Sequence, residues 1–166
     1  MKKVLSAIAL LLLIAISLTS CSLLEPQPKI KQGEFKFSVT YEYQGEVNTV
    51  SGVYVCEYAG LEFALDGGFY REWTGYVKDD AVPEHILLKS GSEDGIEVIL
   101  SLGINPDHLM GETIYFESHL SVPTLMVIIN NEEGMSVLHD VDEIKTEYGA
   151  RIISYEYDEP IKNTFK

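Results

Sequence analysis

From Glu34 to Tyr43 polar and apolar residues alternate one for one. Phe35, Phe37, Val39, Tyr41 and Tyr43 are set against Glu34, Lys36, Ser38, Thr40 and Glu42. A period of two puts the first set on a core and the second in water, as in a half-buried strand. Gln44-Gly45-Glu46 reads as a turn. Val47 to Tyr58 reads as a long return strand whose alternation shifts near Ser51-Gly52, as a bulge would make it, leaving Tyr54, Cys56 and Tyr58 on one face. Leu61 to Leu65 predicts a third strand, closed by the hairpin signal Asp66-Gly67-Gly68. Phe69 to Val77 predicts a fourth. Phe69, Arg71, Trp73, Gly75 and Val77 share one of its faces; Tyr70, Glu72, Thr74 and Tyr76 share the other.

Further on the segments shorten. Lys78 to Pro83 is a loop, Ile86 to Leu88 a short edge strand, Ser90 to Gly95 a turn, and Ile96 to Leu102 an alternating strand. Asn105 to Gly111 reads as one helical turn, capped by Asn105, with Pro106 at its first position and Gly111 as its stop. Thr113 to Glu117 is expected to be a strand. Leu125 to Ile129 is unbroken apolar and rich in β-branched residues, which predicts a central strand buried on both faces. Asn131 to Gly134 turns and Met135 to Leu138 pairs back. Val141, Ile144 and Tyr148 have helical spacing ahead of a capping Gly149. Ala150 to Asp158 is the last strand, with Ile153, Tyr155 and Tyr157 inward, and Pro160 to Lys166 is a tail docked through Ile161 and Phe165. Short strands with turn signals at roughly 8–12-residue spacing predict an all-β fold. The expected form is an antiparallel β-sandwich of immunoglobulin-like architecture with one or two short helices. The tryptophan–cysteine pattern of a true immunoglobulin domain is missing, so only the architecture is implied.

The N-terminus has a different texture. After Lys2 and Lys3, every residue from Val4 to Leu18 is apolar or small except Ser6 and Ser17. This is the layout of a secretory signal helix. The run is short of the roughly 20 apolar residues that cross a bilayer, and it lacks the polar face of a surface helix. It ends in Leu18-Thr19-Ser20-Cys21, an aliphatic residue, two small ones and a cysteine. That quartet resembles the lipobox of bacterial lipoproteins. The resemblance covers these four residues alone. It implies a diacylglycerol on the Cys21 sulfur, cleavage between Ser20 and Cys21, and a lipid-anchored protein on the extracytoplasmic face of the cell membrane. Two or more acyl chains hold a protein at a membrane where one does not. Ser22 in place of aspartate implies no retention at the inner membrane of a two-membrane host, which leaves the outer membrane open to it there. The expected organisation is a signal peptide over 1–20, a lipidated cysteine and flexible tether over 21–33, and a single β-sandwich domain over 34–166. Pro26 and Pro28 suit the tether.

The chain carries a formal charge of −14, and loss of the signal would deepen it to −16 by removing two lysines and no acid. Such a charge repels nucleic acid and anionic lipid headgroups, so nucleic-acid binding is discounted. With Cys21 lipidated, Cys56 is the only remaining thiol. No internal disulfide is then available, and stability must come from a core.

Candidate chemistry is sparse. His85, His108, His119 and His139 are scattered without metal-ligand spacing. The acidic clusters at Asp79-Asp80, Glu93-Asp94 and Asp140 to Glu143 lack the EF-hand pattern. No Gly-x-Ser-x-Gly elbow is present, and Cys56 falls mid-strand on an inward face, where cysteine acts as a small hydrophobe. No cofactor, no metal and no catalytic residue is assigned. The chain is read as a non-enzymatic binding or interaction module. The alternatives are a structural or accessory envelope lipoprotein, or a hydrolase of unrecognised type. Among ten tyrosines, Tyr70 and Tyr76 flank Glu72 on an outward strand face, and these three are the candidate ligand-binding residues. Wide aromatic contact beside a carboxylate suits a glycan, or a basic envelope or surface protein, as partner.

Overall fold

A computed structural model of the chain describes residues 27–63, 69–91, 94–112, 121–131, 134–138 and 140–165. The expected signal peptide, Cys21, the Asp66 to Gly68 turn, the Thr113 to Glu117 strand, His119 and His139 lie outside them. The described chain is mostly β. Its elements are β1 (Gln32–Tyr43), β2 (Glu46–Phe63), β3 (Phe69–Val77), β4 (His85–Lys89), β5 (Ile96–Ser101), a helical turn α1 (Pro106–Leu109), β6 (Thr124–Asn131), β7 (Gly134–Leu138), a helix α2 (Val141–Tyr148) and β8 (Ala150–Tyr157). They form two four-stranded sheets ordered β3-β2-β1-β8 and β4-β5-β6-β7, with every pairing antiparallel.

One hydrophobic cluster draws on both sheets. Phe35, Phe37 and Val39 of β1, Tyr54 and Cys56 of β2 and Trp73 and Val77 of β3 meet Val98 and Leu100 of β5 and Leu125 and Val127 of β6. The alternation of β1 is therefore realised as read. Gln44 and Gly45, both at positive φ, make the two-residue turn into β2.

Four expectations are corrected. The register of β1 on β2 runs unbroken from Gln32↔Glu57 to Tyr43↔Glu46, so no bulge sits at Ser51-Gly52. Gly52 instead takes an inward position whose space the Phe37 ring fills; a Cβ there would lie 3.0 Å from the ring. The expected third strand is the far end of β2. The shift falls at Tyr58/Gly60, against β3. β6 is interior to its sheet, but only Leu125 and Val127 are buried; Met126 and Ile128 turn to a half-open outer face. In β8 a register shift opposite Thr40/Tyr41 turns Ile152 inward and leaves Ile153 exposed.

The helices are set by local chemistry. The Asn105 side chain accepts hydrogen bonds from the backbone N–H groups of Asp107 and His108. Asp140 does the same for Asp142 and Glu143, and Gly149 closes α2 in the left-handed region at φ 64°. The ends of the described chain lie together. Pro28 bridges Phe165, the Lys29 N–H donates to the Thr164 carbonyl (2.9 Å), and Asn163 bonds both backbone groups of Ile30. The folded chain thus begins ahead of Glu34, the boundary expected for the domain.

Candidate ligand-binding face

Among the described residues β3 is an edge strand, bonded to β2 on one side. Its inward residues Trp73 and Val77 are buried, which fixes Tyr70, Glu72, Thr74 and Tyr76 on the opposite face. Tyr70 is 46% exposed and Tyr76 50%; Thr74 is exposed and Glu72 half-buried. The two tyrosines stand six positions apart along the strand, a span of about 20 Å. The structure therefore brings the three predicted residues onto one open face.

The neighbouring strand completes this surface. Across the register, Tyr70 faces Glu62, Glu72 faces Gly60, Thr74 faces Glu57 and Tyr76 faces Val55. The Tyr70 hydroxyl donates to Glu62 Oε2, and this bond raises the phenol's pKa above its ordinary value. Val55 is buried although it lies on the outward face. It sits in register between Tyr76 and Glu34, whose carboxylate is held by Lys78 at 2.8 Å. At the hairpin end, Phe63 and Phe69 pack edge to face at 5.3 Å and remain largely exposed. Sequence reasoning placed the two rings on the two strands of one hairpin but did not single out the pair, because it did not set the register that puts Phe63 opposite Phe69.

Beneath the strip the inner side of β3 is tied down. Arg71 donates through Nε and Nη2 to Glu112 (2.6 and 2.7 Å), Trp73 Nε1 donates to the same carboxylate (2.9 Å), and the Arg71 guanidinium lies 4.0 Å from the Phe165 ring centroid. These links join the edge strand to the residues after α1 and to the C-terminal tail.

The other candidates stand apart from this face. His85 is exposed. His108 Nδ1 accepts from the Ser121 N–H at 3.2 Å and lies 3.2 Å from Ser121 Oγ, which itself accepts from the Asn105 N–H at 3.1 Å. Burial holds the His108 pKa below its ordinary value, against the opposing pull of Glu159. Ser121 is buried with its oxygen engaged, so the pair works as a clasp between α1 and the start of the β6 segment. Asp79 and Asp94 bond nearby backbone N–H groups and Asp140 caps α2. Among the described residues, no group of three histidines, cysteines or acids could hold a metal ion. Cys56 is fully buried; desolvation, then the charge of Asp107, pushes its thiol up to about 12. Among the described residues no helix is long and apolar enough to cross a membrane. No family model, no curated protein and no solved structure matches this chain, so its surface has to be read from its own residues.

Proposed function

We propose that the chain is a non-enzymatic binding module at the cell envelope, held on the extracytoplasmic face of a membrane by lipid on Cys21. In this reading it engages a basic surface protein or a glycan through the outer face of the β2–β3 hairpin. The two sheets serve as the layers of an immunoglobulin-like β-sandwich that holds this face rigid. The observation that carries the binding role is the pair Tyr70 and Tyr76, each about half in solvent on an edge strand whose other face is anchored in the core. Tyrosine offers broad apolar area with few rotors to freeze, and a hydroxyl for hydrogen bonding. Glu57, Glu62 and Glu72 on the same face favour a cationic partner, whose binding weakens with salt.

Two experiments test the reading. Tyr70→Ser with Tyr76→Ser should abolish co-purification of a partner from native membranes, or retention on immobilised glycans, while the unfolding midpoint hardly moves. A stability loss of several kcal/mol, as for emptied aromatic sites, would reassign the tyrosines to packing. Cys21→Ala should leave an uncleaved precursor without fatty-acid label; a mature labelled species from that variant sinks the anchor.

A further inference from the structure

We infer that the opposite edge of the same sheet, strand β8, is a second docking site, and that it takes an extended partner peptide carrying an apolar side chain followed by basic ones. Among the described residues β8 pairs only with β1, so no other described strand takes up the main-chain donors and acceptors of its other edge. Exposed edges are commonly blunted by lysine, proline or a covering element. The β4 edge carries Lys89, and β3 runs into Lys78. From Ile152 to Tyr157, β8 contains neither lysine nor proline.

A cavity of about 520 Å³ lies alongside, between β8, the start of β6 and α2. Pro123, Leu125, Val141, Ile152, Ile153 and Tyr155 line it, with two hydroxyl side chains and no charged one. Its rim is apolar and open: Val141 is 69% exposed, and Ile153 and Tyr155 nearly half. Val141 opens α2 at a position where a surface helix ordinarily carries a polar residue. Tyr155 also lines an adjoining groove of about 440 Å³, formed with Glu156, Asp158, Glu159 and His108. An apolar cavity therefore continues along β8 into an acidic groove.

That sequence of surfaces selects the occupant. An added strand gains affinity from main-chain bonds and specificity from pockets for alternate side chains. Here the first pocket takes an aliphatic or aromatic side chain and the second a lysine or arginine. A second copy of this chain fits poorly. It would bring Glu156, Asp158 and Glu159 against the same acids or against other parts of a chain of charge −14. Arg151, the basic residue of β8, is already held by Glu42 at 2.8 Å.

The test uses the full chain and a fluorescent probe peptide of alternating valine and threonine ending in two lysines, with a control ending in two glutamates. The lysine probe should bind at least about tenfold more tightly than the control, with the advantage shrinking as salt rises. Binding should slow hydrogen exchange at the amides of residues 152–157. Ile153→Lys, at an exposed position, should weaken the probe by at least about tenfold without shifting the unfolding midpoint. Should that variant be destabilised, Tyr155→Ser serves in its place. Equal binding of the two probes, no detectable binding, or protection confined to β3 overturns the proposal. So does a concentration-dependent dimer that Ile153→Lys dissolves, since the occupant would then be a second copy.

Discussion

Glu112 is the residue on which the edge strand β3 turns. Its carboxylate receives two charge-assisted bonds from Arg71 and one from the Trp73 indole, and both side chains of the ion pair are about 15% exposed. Truncating one partner of a buried ion pair costs about 3–5 kcal/mol, and the residual exposure here places the loss near the lower end. The stranded indole N–H adds about 1 kcal/mol. Glu112→Ala should therefore destabilise the chain by about 3–4 kcal/mol, which lowers the thermal midpoint of a domain this size by roughly 10 °C. Glu112→Gln keeps one acceptor oxygen and should lose about half as much. Adding Arg71→Ala to Glu112→Ala should cost less than the sum of the single changes, with a coupling of about 2 kcal/mol, because the desolvated cation leaves with its partner. Urea unfolding of the four-member cycle measures this. A Glu112→Ala loss below about 0.5 kcal/mol, or a coupling of that size, refutes the argument.

Three further predictions concern single groups. Burial lowers the His108 pKa, so its folded value lies below its unfolded one. The stability it contributes is complete above about pH 6.5 and is lost as pH falls below that value toward the folded pKa; between pH 7.5 and 5.5 the urea midpoint should fall less steeply in His108→Asn, and equal slopes would refute the assignment. With its thiol raised to about 12, Cys56 should resist a thiol reagent at pH 8 in a chain lacking Cys21 and react fully once unfolded, whereas rapid native labelling would contradict its burial. The Tyr58 hydroxyl is buried with no hydrogen-bond partner among the described residues, so Tyr58→Phe should be neutral or stabilise by up to about 1 kcal/mol, and a loss of that size would show that the hydroxyl is satisfied in solution.

What the sequence disclosed was whatever depends on neighbours along the chain. The alternation in β1 and β3 placed Phe35, Trp73, Tyr70 and Tyr76 on their correct faces. Asn105 and Gly149 marked helix ends because a cap depends only on residues a few positions away. Failures came where distant residues decide. Nothing near Gly52 announces that Phe37 fills its space, and nothing near Ile128 says that its face of the sheet is left half open. Tyr70, Glu72 and Tyr76 were legible as a strip, while the Phe63–Phe69 pair needed the register of the hairpin. The Arg71–Glu112 link spans 41 positions, and the cavity beside β8 joins Pro123 to Tyr155. Neither leaves a periodic trace.

Under the proposed anchor at Cys21, the lacing of residues 28–30 to the C-terminal tail takes on a mechanical meaning. Tension arriving along the chain ahead of Gln27 meets this short clasp before it meets any strand. Once the clasp yields, the load passes into β1, an interior strand held by β2 on one side and β8 on the other. Antiparallel hydrogen bonds lie across the strand axis. A pull along β1 therefore loads them together in shear instead of opening them one by one. The C-terminal tail acts as a fuse that gives first, and the middle of the sheet is the bearing that holds.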